Sequence, residues 1–564
     1  MPANHNLNVV LCWHMHQPEY RDRRTGIYQR PWTYLRAIKD YTDMAAHLEQ
    51  VPDAQAVINF APVLLEQIND YSAQLDGYFN HATALRDPLL SALSQQKFNK
   101  DIAFRQALLD TCLNGHVQRA TGLHENYALL HDFAADLARH PTRIRYANEI
   151  FFSDLLVWYH LGWLGETVRR NDPRVWQLLE KGHGFSYADR ISLLSVIGEQ
   201  IKAVIPRYRT LAATPRVELS MTPYAHPLAP LLADFHSARE ASPNLPLPRS
   251  AEYPGGIDRL RWHIDAGKQV FKACFGQPPT GCWPAEGAIS DTVLALLDEA
   301  GFTWAASGSG VLFNSLDKST SALGTDHALY HAYNVDELAV TCFFRDDRLS
   351  DLIGFTYSSW HADDAVANLI HHLESISARC GKEDNVLVAI IMDGENAWEH
   401  YPDNGFYFLQ GLYQRLSSHP KFNLTTFSQC LTGSKYTLPH VSAGSWIYGD
   451  LTTWIGSPDK NRAWDMLVEA KQAFDRAERE QRLTGSQLDA ARQQLGICEG
   501  SDWFWWPGDY NAGDAVAAFD NLFRIQLGTL YDIIEEPQPQ YLANAFTHPR
   551  SNDSPTSGVM RKAQ

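Results

Sequence analysis

The chain has 564 residues, 45% hydrophobic and 20% charged, with a formal net charge of -17. That length and balance suit a large globular protein with more than one structural unit and a sizeable core. The acidic excess disfavours a general affinity for nucleic acid or anionic membrane and suits a neutral substrate.

The N-terminal stretch MPANHNLNVVLCWHMHQPEY carries no basic segment followed by a long apolar one, and no apolar run in the chain approaches the length that spans a bilayer. A cytoplasmic location is the expectation. The eight cysteines are scattered, without a Cys-x-x-Cys pair, and read as reduced thiols. Short apolar runs with β-branched or aromatic content lie at 7–13, 56–60, 217–221, 281–283, 302–306, 338–344 and 386–392, and read as buried strands. Helical periodicity fills most of the gaps. This alternation indicates an α/β protein with a parallel sheet, and seven strands point to a closed or nearly closed barrel.

The interval from about 64 to 212 has no clear strand but several amphipathic stretches, and is expected to be a helical insertion after the second strand. The barrel domain is taken as 1–435. An α-helical C-terminal domain contributing to the cleft is expected over 436–545, because 461–480, 486–495 and 514–534 space their apolar residues by three and four. The polar stretch 546–564 reads as a disordered tail.

Polar residues follow nearly every strand, where a parallel barrel keeps its active site. Glu286 comes just after Trp283-Pro284-Ala285, and Asp393 ends the apolar run 386–392. Two carboxyls on neighbouring strand ends are what glycosidic bond cleavage needs, one to protonate the leaving oxygen and one to attack or to activate water. On local sequence alone Glu286 reads equally as a surface loop carboxylate and Asp393 also as a helix N-cap. Glu395 competes with Asp393 for the acid's part, and chemistry does not choose between them.

His14 and His16 alternate about Met15 at the end of the first run, and His226 follows the third. They are candidates for hydrogen bonding to sugar hydroxyls. Imidazoles also suit zinc, and zinc-dependent barrel α-mannosidases begin with a similar motif, but those use His-x-Asp where this chain has His16 as the third residue. No metal and no cofactor are expected. Aromatic residues make up 12% of the chain, including 16 Trp. An aromatic face stacks on the apolar C–H face of a sugar. Trp283 and Trp454 are candidate sugar contacts on this ground, and so are Asp502 and Trp505 within the run Glu499-Gly500-Ser501-Asp502-Trp503-Phe504-Trp505-Trp506.

With these motifs in place the sequence resembles glycoside hydrolase family 57 along nearly its whole length. Five family regions occur in order: His14-Met15-His16-Gln17-Pro18; Glu218 to Pro227 with His226; Gly281 to Glu286; Met392-Asp393-Gly394-Glu395-Asn396-Ala397-Trp398-Glu399; and Thr453 to Arg462. The resemblance implies an incomplete (β/α)7 barrel followed by a helical domain, a retaining mechanism, and α-glucan substrates such as starch, glycogen or maltodextrin. It implies Glu286 as nucleophile and Asp393 as acid/base, with Glu395 in a supporting role on the substrate side. The form of the fourth region is closer to α-amylase and amylopullulanase-like members than to glucanotransferase or branching members. The fifth region has Ser457-Pro458 where a His-Ala-like pair is expected. An α-amylase-like hydrolase of α-1,4-glucans is the leading expectation. A 4-α-glucanotransferase or branching enzyme is the alternative on the same scaffold, and a non-catalytic glucan-binding protein is the alternative of another class.

Overall fold

The computed structural model describes residues 7–113, 124–318, 325–381, 385–508 and 510–548. Each of the seven apolar runs forms a strand: β1 (Leu7–Met15), β2 (Ala56–Phe60), β3 (Val217–Met221), β4 (Gly281–Cys282), β5 (Trp304–Gly308), β6 (Thr341–Arg345) and β7 (Leu387–Asp393). They pair in parallel in chain order, and β7 returns to pair with β1. Closure between β6 and β7 rests on one residue pair, Ala389 with Arg345, so the seven-stranded barrel is nearly open there. Val, Ile, Leu and Phe fill these strands because both faces are covered, one by the barrel interior and one by helices.

The register matters for function. His14 on β1 lies beside Asp393 on β7 and Asn59 on β2, and Asn59 lies beside Ser220 on β3. In-register neighbours of a parallel sheet point to the same side, so these four form one polar layer near the C-terminal mouth of an otherwise apolar barrel. Cys12, two residues before His14, belongs to an apolar cluster with Val10, Val57 and Ile391.

Between β2 and β3 the chain is helical, from Pro62–His81 to Tyr187–Leu211. The last of these helices starts at a capping box, in which Ser186 and Asp189 satisfy each other's backbone N–H groups. After the barrel come Pro458–Arg479, Gly485–Cys498, Asp502–Trp505 and Gly513–Ile533. Ser457-Pro458, the departure from the resembled pattern, is the start signal of the first: Ser457 Oγ accepts from Lys460 N, and Pro458 takes a first-turn position where no N–H is needed. The aromatic run packs there, with Trp464 stacked on Phe504 at 3.8 Å between ring centroids. Short strands that the hydrophobic pattern does not announce, Ala332–Val335, Phe422–Thr425 and Lys435–Leu438, border the barrel. The eight thiols are free. Among the described residues no helix is long and apolar enough to cross a membrane. Most of the tail expected from 546 onward lies outside the described residues; of its first three, Thr547 is buried and donates to Asp520.

Candidate active site

A cavity of about 700 Å³ opens at the C-terminal mouth of the barrel. Glu286, Asp393, Glu395, His14, His16, His226, Asp502 and Trp505 all line it. Trp283 and Trp454 do not: both are fully buried and stand behind the wall. Trp283 packs edge-on to Trp446, which is the indole that faces the cavity. The helical insertion supplies Tyr159 and Trp163 to one side, and the C-terminal helices supply Trp505, Trp506 and Phe519 to another.

Glu286 sits in a single 3-10 turn with φ 59° and ψ 20°, the left-handed region that a residue with a Cβ seldom adopts. His226 also has positive φ, 60°. Such conformations cost of order 1–3 kcal/mol each and persist where surrounding contacts fix them. Here the contacts are visible. Thr222 Oγ1 bonds Trp283 O at 2.7 Å, Ser307 donates to Gly287 O at 2.6 Å, and Trp446 N donates to Glu286 O at 3.0 Å. Gly287 follows with φ 57°, and a Cβ there would come within 2.6 Å of the Trp283 ring.

The Glu286 carboxyl takes one donor on each oxygen, Trp446 Nε1 at 3.1 Å and Ser501 Oγ at 3.0 Å. Both donors come from beyond the barrel, from segments stitched to its loops through bridges between Ile289 and Gly444 and between Pro227 and Gly500. Burial pushes Glu286 up to about 8, with the charges of Asp502 and Asp393 adding to it, while the two donors pull the other way. Burial likewise raises Asp393, to about 6, against the Asn396 amide at 3.0 Å and the nearby His16 and Arg345.

Asp393 and Glu395 are separated by their partners. Glu395 accepts from Gln17 at 2.6 Å on one oxygen and from the Tyr41 hydroxyl on the other. Tyr41 ends a π-helical turn, Ala37–Tyr41, a form that often marks functional sites. Burial pushes Glu395 up to about 8 against the nearby Arg36 and the Tyr41 bond. Asp393 has one oxygen bound to Asn396, and its other oxygen has no hydrogen-bond partner among the described residues.

The three histidines form a stack beside the Glu286 turn. His16 and His226 rings lie 3.7 Å apart, tilted by 11°. His14 Nε2 meets His226 Nε2 at 3.0 Å, and His16 Nε2 meets Asp502 Oδ2 at 2.9 Å. Burial, then the neighbouring His16, lowers His14 to about 3 and His226 well below the usual imidazole range, so both are neutral. Ligand atoms of His16, His226 and Asp502 fall within 4.8 Å of one another. A cation does not suit this set, because lone pairs of stacked rings run parallel and both His226 nitrogens already bond to His14 and Ser501.

A parallel α/β barrel whose strand ends present two half-buried carboxyls to an aromatic-walled cleft has the architecture of a glycoside-cleaving enzyme. The chain belongs to glycosyl hydrolase family 57, whose family model matches residues 10–440. Solved structures show the same fold. A family 57 branching enzyme from Thermococcus kodakaraensis is 15% identical with TM-score 0.56, over 94% of this chain and 90% of that one. The α-amylase AmyC from Thermotoga maritima is 12% identical with TM-score 0.56, over 95% of each. A 4-α-glucanotransferase from Thermococcus litoralis is 13% identical with TM-score 0.50, over 93% of this chain and 59% of that one. No curated protein sequence matches.

Proposed function

We propose that the protein is a retaining glycoside hydrolase of α-1,4-glucans, with Glu286 as nucleophile and Asp393 as acid/base. The observation that carries this reading is the difference in partners of the three cleft carboxyls. Glu286 is held by two donors that favour its anion, Asp393 keeps an oxygen free for a proton, and Glu395 is tied up by the protein. In the first step a Glu286 oxygen bonds to the anomeric carbon as the glycosidic C–O bond breaks and the Asp393 proton passes to the leaving oxygen. In the second, Asp393 takes a proton from water, whose oxygen displaces Glu286 from the same carbon. The cleft's indoles offer flat apolar faces to sugar rings, and His16, Asp502 and Arg345 offer polar groups to hydroxyls. The names of the similar structures, an α-amylase, a branching enzyme and a 4-α-glucanotransferase, support an α-glucan.

Glycosyl transfer to a sugar hydroxyl is the second reading. It is favoured by two of those three names and by an aromatic wall that continues on both sides of the carboxyls. Product analysis on maltoheptaose and amylose separates the two: only shorter products mean hydrolysis, longer or branched ones mean transfer. Glu286→Gln loses activity by roughly 10⁴-fold or more in either case, as expected when a nucleophile is removed. Activity close to that of the unmodified protein in this variant overturns the assignment.

A further inference from the structure

A line of short hydrogen bonds runs from β2 and β3 to the carboxyl of Glu286, and its direction can be worked out by counting protons. The start is Thr222. Its Oγ1 lies 2.7 Å from Trp283 O and 2.8 Å from one atom of the Asn59 side-chain amide. A hydroxyl has one proton, and a backbone carbonyl can only accept. Thr222 therefore donates to Trp283 O, and the Asn59 amide, placed with Oδ1 toward Thr222 and His14 and Nδ2 toward Ser220, must be turned over so that its nitrogen faces Thr222. The oxygen and nitrogen of an amide are distinguished only by such partners. The other amide atom, 3.0 Å from Ser220 Oγ, is then the oxygen and accepts from that hydroxyl.

The amide nitrogen that meets Thr222 also meets His14 Nδ1, at 2.7 Å. His14 Nδ1 thus accepts, and a neutral imidazole in that state carries its proton on Nε2. That proton is donated to His226 Nε2 at 3.0 Å. His226, accepting on Nε2, carries its own proton on Nδ1 and donates it to Ser501 Oγ at 2.8 Å. The single Ser501 proton is then left for Glu286, at 3.0 Å.

We propose that Asn59, His14, His226 and Ser501 form a directed hydrogen-bond line that ends on Glu286 and selects its ionised form. Asn59 and Ser501 are thereby positioning residues for the reaction, and this proposal rests on Glu286 being the nucleophile. The line answers a problem the cleft creates. Asp393 and Glu286 both face the cleft half-buried, and with one proton between them only the arrangement with the proton on Asp393 reacts. Burial and the charges of Asp502 and Asp393 push it toward Glu286, and the Ser501 and Trp446 donors pull the other way. A line of donors reaching Glu286 opposes that, whereas protonating Glu286 on the oxygen that faces Ser501 sets two hydrogens against each other unless every member reverses. Left-handed backbones at His226 and Glu286 flank the last two bonds of this line, and the bond from Ser501 N to His226 O at 2.8 Å holds the serine in place.

The charged and titratable groups facing the line are His16, stacked on His226, Asp502 bonded to it, Asp393 from β7, and Glu286 itself. The readout must therefore separate Glu286 from Asp393. Ser501→Ala removes the last donor while leaving every carboxyl in place. The acid limb of kcat/KM, where Glu286 ionises, is expected to move up by about one to two pH units, the equivalent of one charge-assisted hydrogen bond. Then kcat falls about tenfold or more with KM little changed, and Ser501→Thr restores the limb. Neutron diffraction of the unmodified protein near its pH optimum reads the line directly, whatever the variants do to folding. Deuterium on His14 Nε2 and His226 Nδ1 supports the proposal. Deuterium on His14 Nδ1, or an unmoved acid limb in a folded Ser501→Ala protein, overturns it. An active Glu286→Gln protein would instead remove the mechanism on which it rests, so the two failures are distinguishable.

Discussion

The two cleft carboxyls, pushed up to about 6 and about 8, share one proton between those pH values. Below about 6 both are protonated and the nucleophile carries no charge. Above about 8 both are ionised and no acid remains. The expected profile of kcat/KM on a soluble maltooligosaccharide is a bell with limbs near pH 6 and 8. A plateau running well below pH 5 would show that the Glu286–Asp393 pair does not set the rate. His14 and His226 contribute no limb within this window, because burial keeps both neutral throughout it. At this scale Glu395 is read through its neighbours: it stands two residues from Asp393, yet its oxygens belong to Gln17 and Tyr41.

Elements explain why part of the site is legible in the sequence and part is not. The seven strands could be read because a strand covered on both faces is a continuous apolar run, and the catalytic candidates could be read because they directly follow such runs. Asn59 left a signal of the same kind, an amide inside the apolar run Ala56–Phe60, which only a hydrogen-bonded partner makes tolerable. Trp446 and Ser501 stand in runs rich in aromatic and hydroxyl residues, a signal of a cleft wall but not of contact with Glu286. They reach Glu286 across 160 and 215 residues of chain, and nothing local to either records that approach. Trp283 and Trp454 show the opposite error, since residue type does not reveal which side of a loop faces the cleft. The strand-end bridge at Gly444 makes Trp446 testable as part of its element. Its indole donates to Glu286 and also lies under Arg345, 5.1 Å from the guanidinium carbon. Trp446→Phe keeps a ring beneath Arg345 but removes the donor. The expected result is a fall in kcat of about 10-fold to 100-fold, the worth of one hydrogen bond to a charged group, with a smaller change in KM. A loss confined to KM would mean that the indole serves substrate binding alone.

At the scale of the whole molecule, the barrel and the helices that follow it are joined by a buried ion cluster close to the site. Glu499 is fully buried at the end of the helix Gly485–Cys498. It accepts from Arg259 at 2.8 Å, bonds His263 Nε2 at 2.7 Å, and accepts from the Tyr253 hydroxyl. Arg259 and His263 belong to the helix Gly256–Phe275, which runs between β3 and β4. Two residues after Glu499 comes Ser501, so this cluster fixes the segment that delivers Ser501 and Asp502 to the cleft. Burial alone would raise the Glu499 carboxyl, but Arg259, then His263, hold it down at about 2 against an ordinary 4.5. A carboxyl lowered on folding contributes stability that is fully present above its unfolded value and is lost as pH falls toward its folded one, here from about 4.5 toward 2. Arg259→Met leaves a buried carboxylate without its cation, which costs about 3–5 kcal/mol near neutral pH. In that variant Glu499 escapes the penalty by taking up a proton, so its deficit against the unmodified protein should shrink as pH is lowered toward 4. Denaturant midpoints measured at pH 7 and pH 4 check this, and an equal deficit at both would show that Arg259 acts through packing on Trp262, 4.3 Å from its guanidinium carbon, and not through its charge.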